Sequence, residues 1–205
     1  MLGKHLWSDD ARRRVEEAVK EVEAQTSVEV VVAVRPASGS YRHTDYLVGV
    51  FVAMVVLCVF LYHPDPFDWT YLPLEVAASF AFGAVTSALF DPLRRLLTSR
   101  RLMDEYAEAK ARSFFVEQGL SRTPDRTAVL RFVSVFERRV VVVCDLGVDE
   151  VALGAPFADA KRLLERDVGR VDAFVRALSA LGPIFATRLP RRADDTNELP
   201  DAVGA

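Results

Sequence analysis

The chain has 205 residues, 27% of them charged, and a formal net charge of only -3. That length suits one or two domains, and the near-neutral balance gives no support to nucleic-acid binding, which calls for a basic face. The two cysteines, Cys58 and Cys144, both lie in apolar runs and read as buried hydrophobes rather than a disulfide framework.

The first periodic segment spans residues 8–25, where Ala11, Val15, Ala18, Val19 and Val22 recur at helical spacing. Ser8 suits its N-cap, with Asp9 and Asp10 in the electropositive first turn. Residues 28–34 (VEVVVAV) form a nearly continuous β-branched run, the pattern of a strand covered on both faces. Residues 35–45, with Pro36, Gly39 and two serines, read as loop.

Two apolar runs come next. Residues 46–62 continue for 17 positions without a charge, and residues 72–90 add 19 with one acid, Glu75. At helical rise they reach about 25 and 28 Å, close to the roughly 30 Å hydrocarbon core of a bilayer. The connecting residues 63–71 (HPDPFDWTY) are too few for a domain, so the pair is expected to be a transmembrane hairpin rather than two core helices. Tyr62, Trp69 and Tyr71 bracket the turn as interfacial aromatics, and Arg94, Arg95, Arg100 and Arg101 follow the second run. A chain this short also has little room to enclose two apolar helices beside a separate core. Arg35 and Arg42 precede the first run while the connecting loop holds no Lys or Arg, which predicts both termini in the cytoplasm. The stretch MLGKHLWSDDARRR lacks an apolar h-region, so the first span is expected to serve as its own insertion signal. Gly49 with Ala53, and Gly83 with Ser87, place small residues at helix-packing spacing, suited to mutual packing or to an outside partner. Glu75, near Pro73, reads as a residue that snorkels to the interface.

Beyond the spans, residues 101–118 read as a helix with Ala107, Ala111, Phe114 and Phe115 on one face and Gly119 as its stop. Residues 128–135 and 139–144 are two strands joined through Phe136-Glu137-Arg138 as a hairpin. Pro156 starts a helix with Phe157, Ala160, Leu163 and Leu164 on its face. Val171, Phe174, Val175 and Leu178 mark another, expected to stop before Gly182-Pro183. Residues 188–205 are polar and read as a flexible tail. One strand before the spans cannot make a sheet, and a lone two-stranded hairpin is marginal. Residues 1–45 and 91–187 are therefore expected to be two parts of one α/β domain. In it a small mixed sheet is flanked by helices, and the transmembrane hairpin 46–90 is inserted into a right-handed crossover.

With that order in hand, the chain resembles the TPM domain family, and within it the bacterial membrane branch in which a transmembrane pair interrupts the domain. The resemblance rests on Thr26-Ser27-Val28-Glu29-Val30-Val31-Val32, Ser38-Gly39-Ser40-Tyr41-Arg42 and Thr123-Pro124-Asp125-Arg126-Thr127-Ala128-Val129-Leu130. It continues through Val133-Ser134-Val135-Phe136-Glu137-Arg138-Arg139-Val140, Asp145-Leu146-Gly147-Val148 and the tail Asp194-Asp195-Thr196-Asn197-Glu198-Leu199-Pro200-Asp201. It implies a TPM-like sandwich in the inner (cytoplasmic) membrane. Some family members are described as acid phosphatases with bound divalent metal, others as acting in photosystem repair or as receptor auxiliaries. Soluble members often carry Asn-Gly where this chain has Thr127-Ala128, and only the Asp-x-Gly pattern of Asp145-Leu146-Gly147 is kept.

Among residues that carry chemistry, Asp145 ends an apolar strand, where open α/β sheets place ligand-binding groups. With Asp125, Asp149 and Glu150 it would supply oxygen ligands for Mg²⁺ or Ca²⁺. The same Asp145-Leu146-Gly147 reads equally as a turn in which Asp bonds its own backbone and Gly takes a positive φ. Asp149 and Glu150 also suit a solvated helix start. Arg126 is placed to bind a phosphate bidentately, although Pro124-Asp125 alone makes a turn. The three histidines, His5, His43 and His63, are scattered and give neither zinc spacing nor a triad. Neither cysteine has the basic setting of a reactive thiolate. An anchor, a compact domain and a polar tail, without a paired nucleophile and base or a glycine-rich phosphate loop, point to an interaction or assembly module for a membrane complex. Its expected partners are the lipid bilayer and another membrane protein; the alternative is a weak divalent-metal-dependent phosphatase.

Overall fold

The computed structural model describes residues 9–63, 69–166 and 171–191. Ser8, His5, the turn residues 64–68, the tail residues 192–205 and the acidic motif within that tail lie outside the described residues. The chain forms two compact units, Met1–Ser38 with Asp104–Ala205, and Gly39–Met103.

The discontinuous unit is built on three strands in the order β1-β2-β3: β1 (Val30–Arg35), β2 (Val129–Ser134) and β3 (Arg139–Cys144). β1 lies parallel to β2, with Val30 opposite Val129 and Arg35 opposite Ser134. β3 returns antiparallel, with Val129 opposite Cys144 and Ser134 opposite Arg139. The central β2 is buried along its whole length, so both of its faces need apolar cover, and its sequence alternates two cores rather than core and solvent.

One face packs Val30, Val32, Val129 and Val142 against helices from both ends of the chain. These are α1 (Asp9–Glu23), through Val15, Val19 and Val22, and the later helices, through Phe157, Leu164, Phe174, Leu178 and Phe185. The other face sets Val31, Ala33, Leu130 and Phe132 against Ala111, Phe114 and Phe115. Phe132 is fully buried against Phe114, a burial that contributes about 3 kcal/mol by area. The fold is thus α/β, with helices on both faces of a small mixed sheet.

The helical elements differ from the sequence reading in several places. The helix expected to start at Pro156 belongs to a longer α6 (Glu150–Arg166), broken at Gly154, whose φ of 69° marks a kink two residues before Pro156. The helix marked by Val171 to Leu178, α7 (Val171–Ser179), does stop before Gly182-Pro183, but that pair lies in the first turn of a further helix, α8 (Leu181–Ala186), where proline forfeits no hydrogen bond. Phe185 on α8 is fully buried. A further short helix, α4 (Asp91–Leu97), occupies a segment read as plain sequence between the second apolar run and α5 (Arg100–Glu117).

The second unit is the pair α2 (Arg42–Tyr62) and α3 (Leu72–Leu89), followed by α4. α2 begins four residues earlier than the apolar run, taking in Thr44 and Asp45. Its seam with α3 sets small residues, Gly49 and Gly83, against Phe80 and Val52, and Tyr46 stacks on Phe80 across it. A Cβ added at Gly49 would lie 2.7 Å from the Phe80 carbonyl oxygen, and one at Gly83 would lie 2.9 Å from Val52 Cγ2 and 3.1 Å from Gly49 Cα. Gly49 and Gly83 therefore pack the two helices against each other. Other large side chains face the other way: Leu47, Phe51, Met54, Val59, Phe82 and Val85 are exposed.

Candidate functional site

The sequence-derived residues converge on the loops at one end of the sheet, where β3 finishes and β2 begins. Because β3 is antiparallel, Asp145 lies at the end where the parallel strands β1 and β2 start, not where they finish. The rule that places ligands beyond the carboxyl ends of parallel strands therefore does not reach it.

Asp145 is buried, and its carboxylate is used locally. Oδ1 accepts from the Leu146 backbone N–H at 2.8 Å and from Arg126 Nη2 at 3.0 Å. Arg126 Nε sits 3.4 Å from Oδ2, so the fork that would grip a phosphate faces a carboxylate of the same chain. The turn closes with Val148 N donating to the Asp145 carbonyl at 3.0 Å. Gly147 serves this turn differently from the expectation, since positive φ among the glycines is confined to Gly119 and Gly154 among the described residues. A Cβ at Gly147 would lie 2.3 Å from the Asp125 carbonyl oxygen and 2.7 Å from that of Arg126. Its N–H donates to the Arg126 carbonyl at 2.8 Å. Glycine is needed because two loops meet here backbone to backbone. Arg126 itself has φ 55°, the left-handed region that an arginine adopts only under local constraint.

The other two acids point to different tasks. Asp149 Oδ1 accepts from the N–H groups of Val151 and Ala152, which makes it the cap of α6. Glu150 binds Lys161 Nζ at 2.7 Å across the Gly154 kink. The structure thus brings Asp125 and Asp145 onto adjoining loops and leaves Asp149 and Glu150 on a helix terminus. No group of three or more His, Cys, Asp or Glu side chains is arranged to hold a metal among the described residues.

Cys144, one residue before Asp145, is packed against the larger core. Burial pushes its thiol from 9.0 up to about 12, and the nearby Glu150 carboxylate adds to the effect while Lys161 opposes it. Burial by itself would lower Lys161, but its hydrogen bond to Glu150 holds it above the ordinary lysine value. This is the opposite of a nucleophilic cysteine's setting.

The sequence reading did not single out three polar sites. At the far end of the sheet, the buried Glu137 accepts from the Ser38 N–H at 2.8 Å and from the Ser134 hydroxyl, while the two serine hydroxyls meet each other. Asp104 pairs with Arg139 at 3.3 Å beside the same β2–β3 turn. The two points where the chain leaves and rejoins the sheet-bearing unit are therefore both tied to one turn. In the core, the buried Arg131 guanidinium stands 3.8 Å over the Phe174 ring and donates to the Leu164 carbonyl at 3.4 Å. In the second unit, Asp45 receives a bidentate contact from Arg94, at 2.9 Å from Nε and 2.7 Å from Nη2, and a hydrogen bond at 2.9 Å from the buried Ser87 hydroxyl. Thr44 and Thr98 hydroxyls meet at 3.1 Å beside it.

No protein-family model and no curated protein matches the sequence. Among solved structures, the chain is similar to the NMR structure of BA42 protein from the psychrophilic bacterium Bizionia argentinensis, at 14% identity. The match covers 96% of this chain and 92% of that one, with a TM-score of 0.50. At that identity the likeness bears on the fold alone.

Proposed function

We propose that this chain is an integral membrane protein of the inner (cytoplasmic) membrane. α2 and α3 cross the bilayer as a hairpin inserted into a TPM-like domain, and that domain acts in the cytoplasm as an interaction or assembly module for a membrane complex. The observation that carries the membrane part is the inverted burial of the hairpin. Its seam holds glycines and a serine bonded to Asp45, while only 17% and 11% of its most apolar stretches are buried. A soluble core helix hides its large side chains, whereas a spanning pair turns them toward lipid and packs through small residues. The interaction role is supported by how the acidic and basic candidates are used: Asp145 with Arg126, Asp149 as a cap, and Glu150 with Lys161 all hold the fold.

A divalent-metal-dependent phosphatase is the second reading. It draws on Asp125 and Asp145, whose loops close on each other at Gly147. Calorimetric titration of the detergent-solubilised protein with Mg²⁺ and Ca²⁺, followed by phosphomonoester assays at acid and neutral pH, separates the two. The module reading expects neither saturable metal binding nor turnover, and expects one membrane-protein partner recovered by crosslinking in cells. Turnover of about 1 s⁻¹ or faster, the low end of ordinary enzymes, that disappears in Asp145→Asn would replace it with the phosphatase.

A further inference from the structure

We draw no further inference here: the strongest candidate, the apolar groove on the outward face of α2 lined by Phe51, Met54, Val55, Cys58, Val59 and Tyr62, is an unpartnered helix face, and nothing in the structure shows what covers it.

Discussion

The thiol of Cys144 gives a quantitative handle on how the sheet is covered. It lies at the end of β3, opposite Val129, and burial followed by the Glu150 carboxylate raises its folded value from 9.0 to about 12. In the unfolded chain the thiol ionises near its ordinary value, so above that pH the unfolded state releases a proton that the folded state keeps. Stability from this group is then fully present below about pH 9 and falls as pH rises toward 12, by about 1.4 kcal/mol per pH unit. At pH 10.5 the loss amounts to about 2 kcal/mol, or about 4–8 °C in Tm for a chain of this size. The informative quantity is the difference between wild type and Cys144→Ala, both carrying Cys58→Ala, because it isolates the contribution of this thiol. Urea unfolding in mild detergent at pH 7.5 and 10.5 measures it, and alkylation of Cys144 at pH 8.5 should be far slower in the folded protein than in urea. Parallel loss of stability in the two proteins, or alkylation at the unfolded rate, would refute this account of the covered strand end.

Three other outcomes follow from the contacts described. Gly147→Ala should destabilise the sheet-bearing unit by about 2–3 kcal/mol, because the added methyl meets backbone carbonyls of Asp125 and Arg126 rather than a yielding side chain; thermal unfolding reads it. Glu137→Ala should cost about 2–3 kcal/mol by leaving the Ser38 N–H and Ser134 hydroxyl without their carboxylate, and amide exchange at Ser38 should accelerate with it. Asp45→Arg should weaken the α2–α3 hairpin by about 1–2 kcal/mol in SDS-titrated unfolding, and the exchange Asp45→Arg with Arg94→Asp should recover part of the loss.

The parts legible in the sequence are those governed by local rules. The β-branched run 139–144 became β3 with the same limits, since continuous Val-rich sequence suits a strand buried on both faces. Pro156 stands where a helical stretch resumes after the Gly154 kink, as its fixed φ favours. α8 was hidden because Gly182-Pro183 reads as a stop unless a new helix begins there, and only the burial of Phe185 against Phe157 decides that. The sites were hidden by distance along the chain. Asp45 ended a stretch read as loop, yet its partner Arg94 is 49 residues away. Ser38 and Glu137 are 99 apart. Asp145 was placed at the ligand-binding end of a sheet by a rule that depends on strand direction, and direction is a tertiary property. Gly147 was recognised as necessary, but the cause is a backbone approach by another loop.

Side-chain accessibility in intact cells tests the central claim, the membrane hairpin with the sheet-bearing unit in the cytoplasm. Thr70→Cys, beside the connecting turn, and Leu146→Cys, on an exposed loop of the sheet-bearing unit, are introduced singly into a protein carrying Cys58→Ala and Cys144→Ala. An impermeant maleimide should label Thr70→Cys in intact cells and Leu146→Cys only after the membrane is opened. Labelling of Leu146→Cys in intact cells with Thr70→Cys protected, or protection of both positions until lysis, would contradict it.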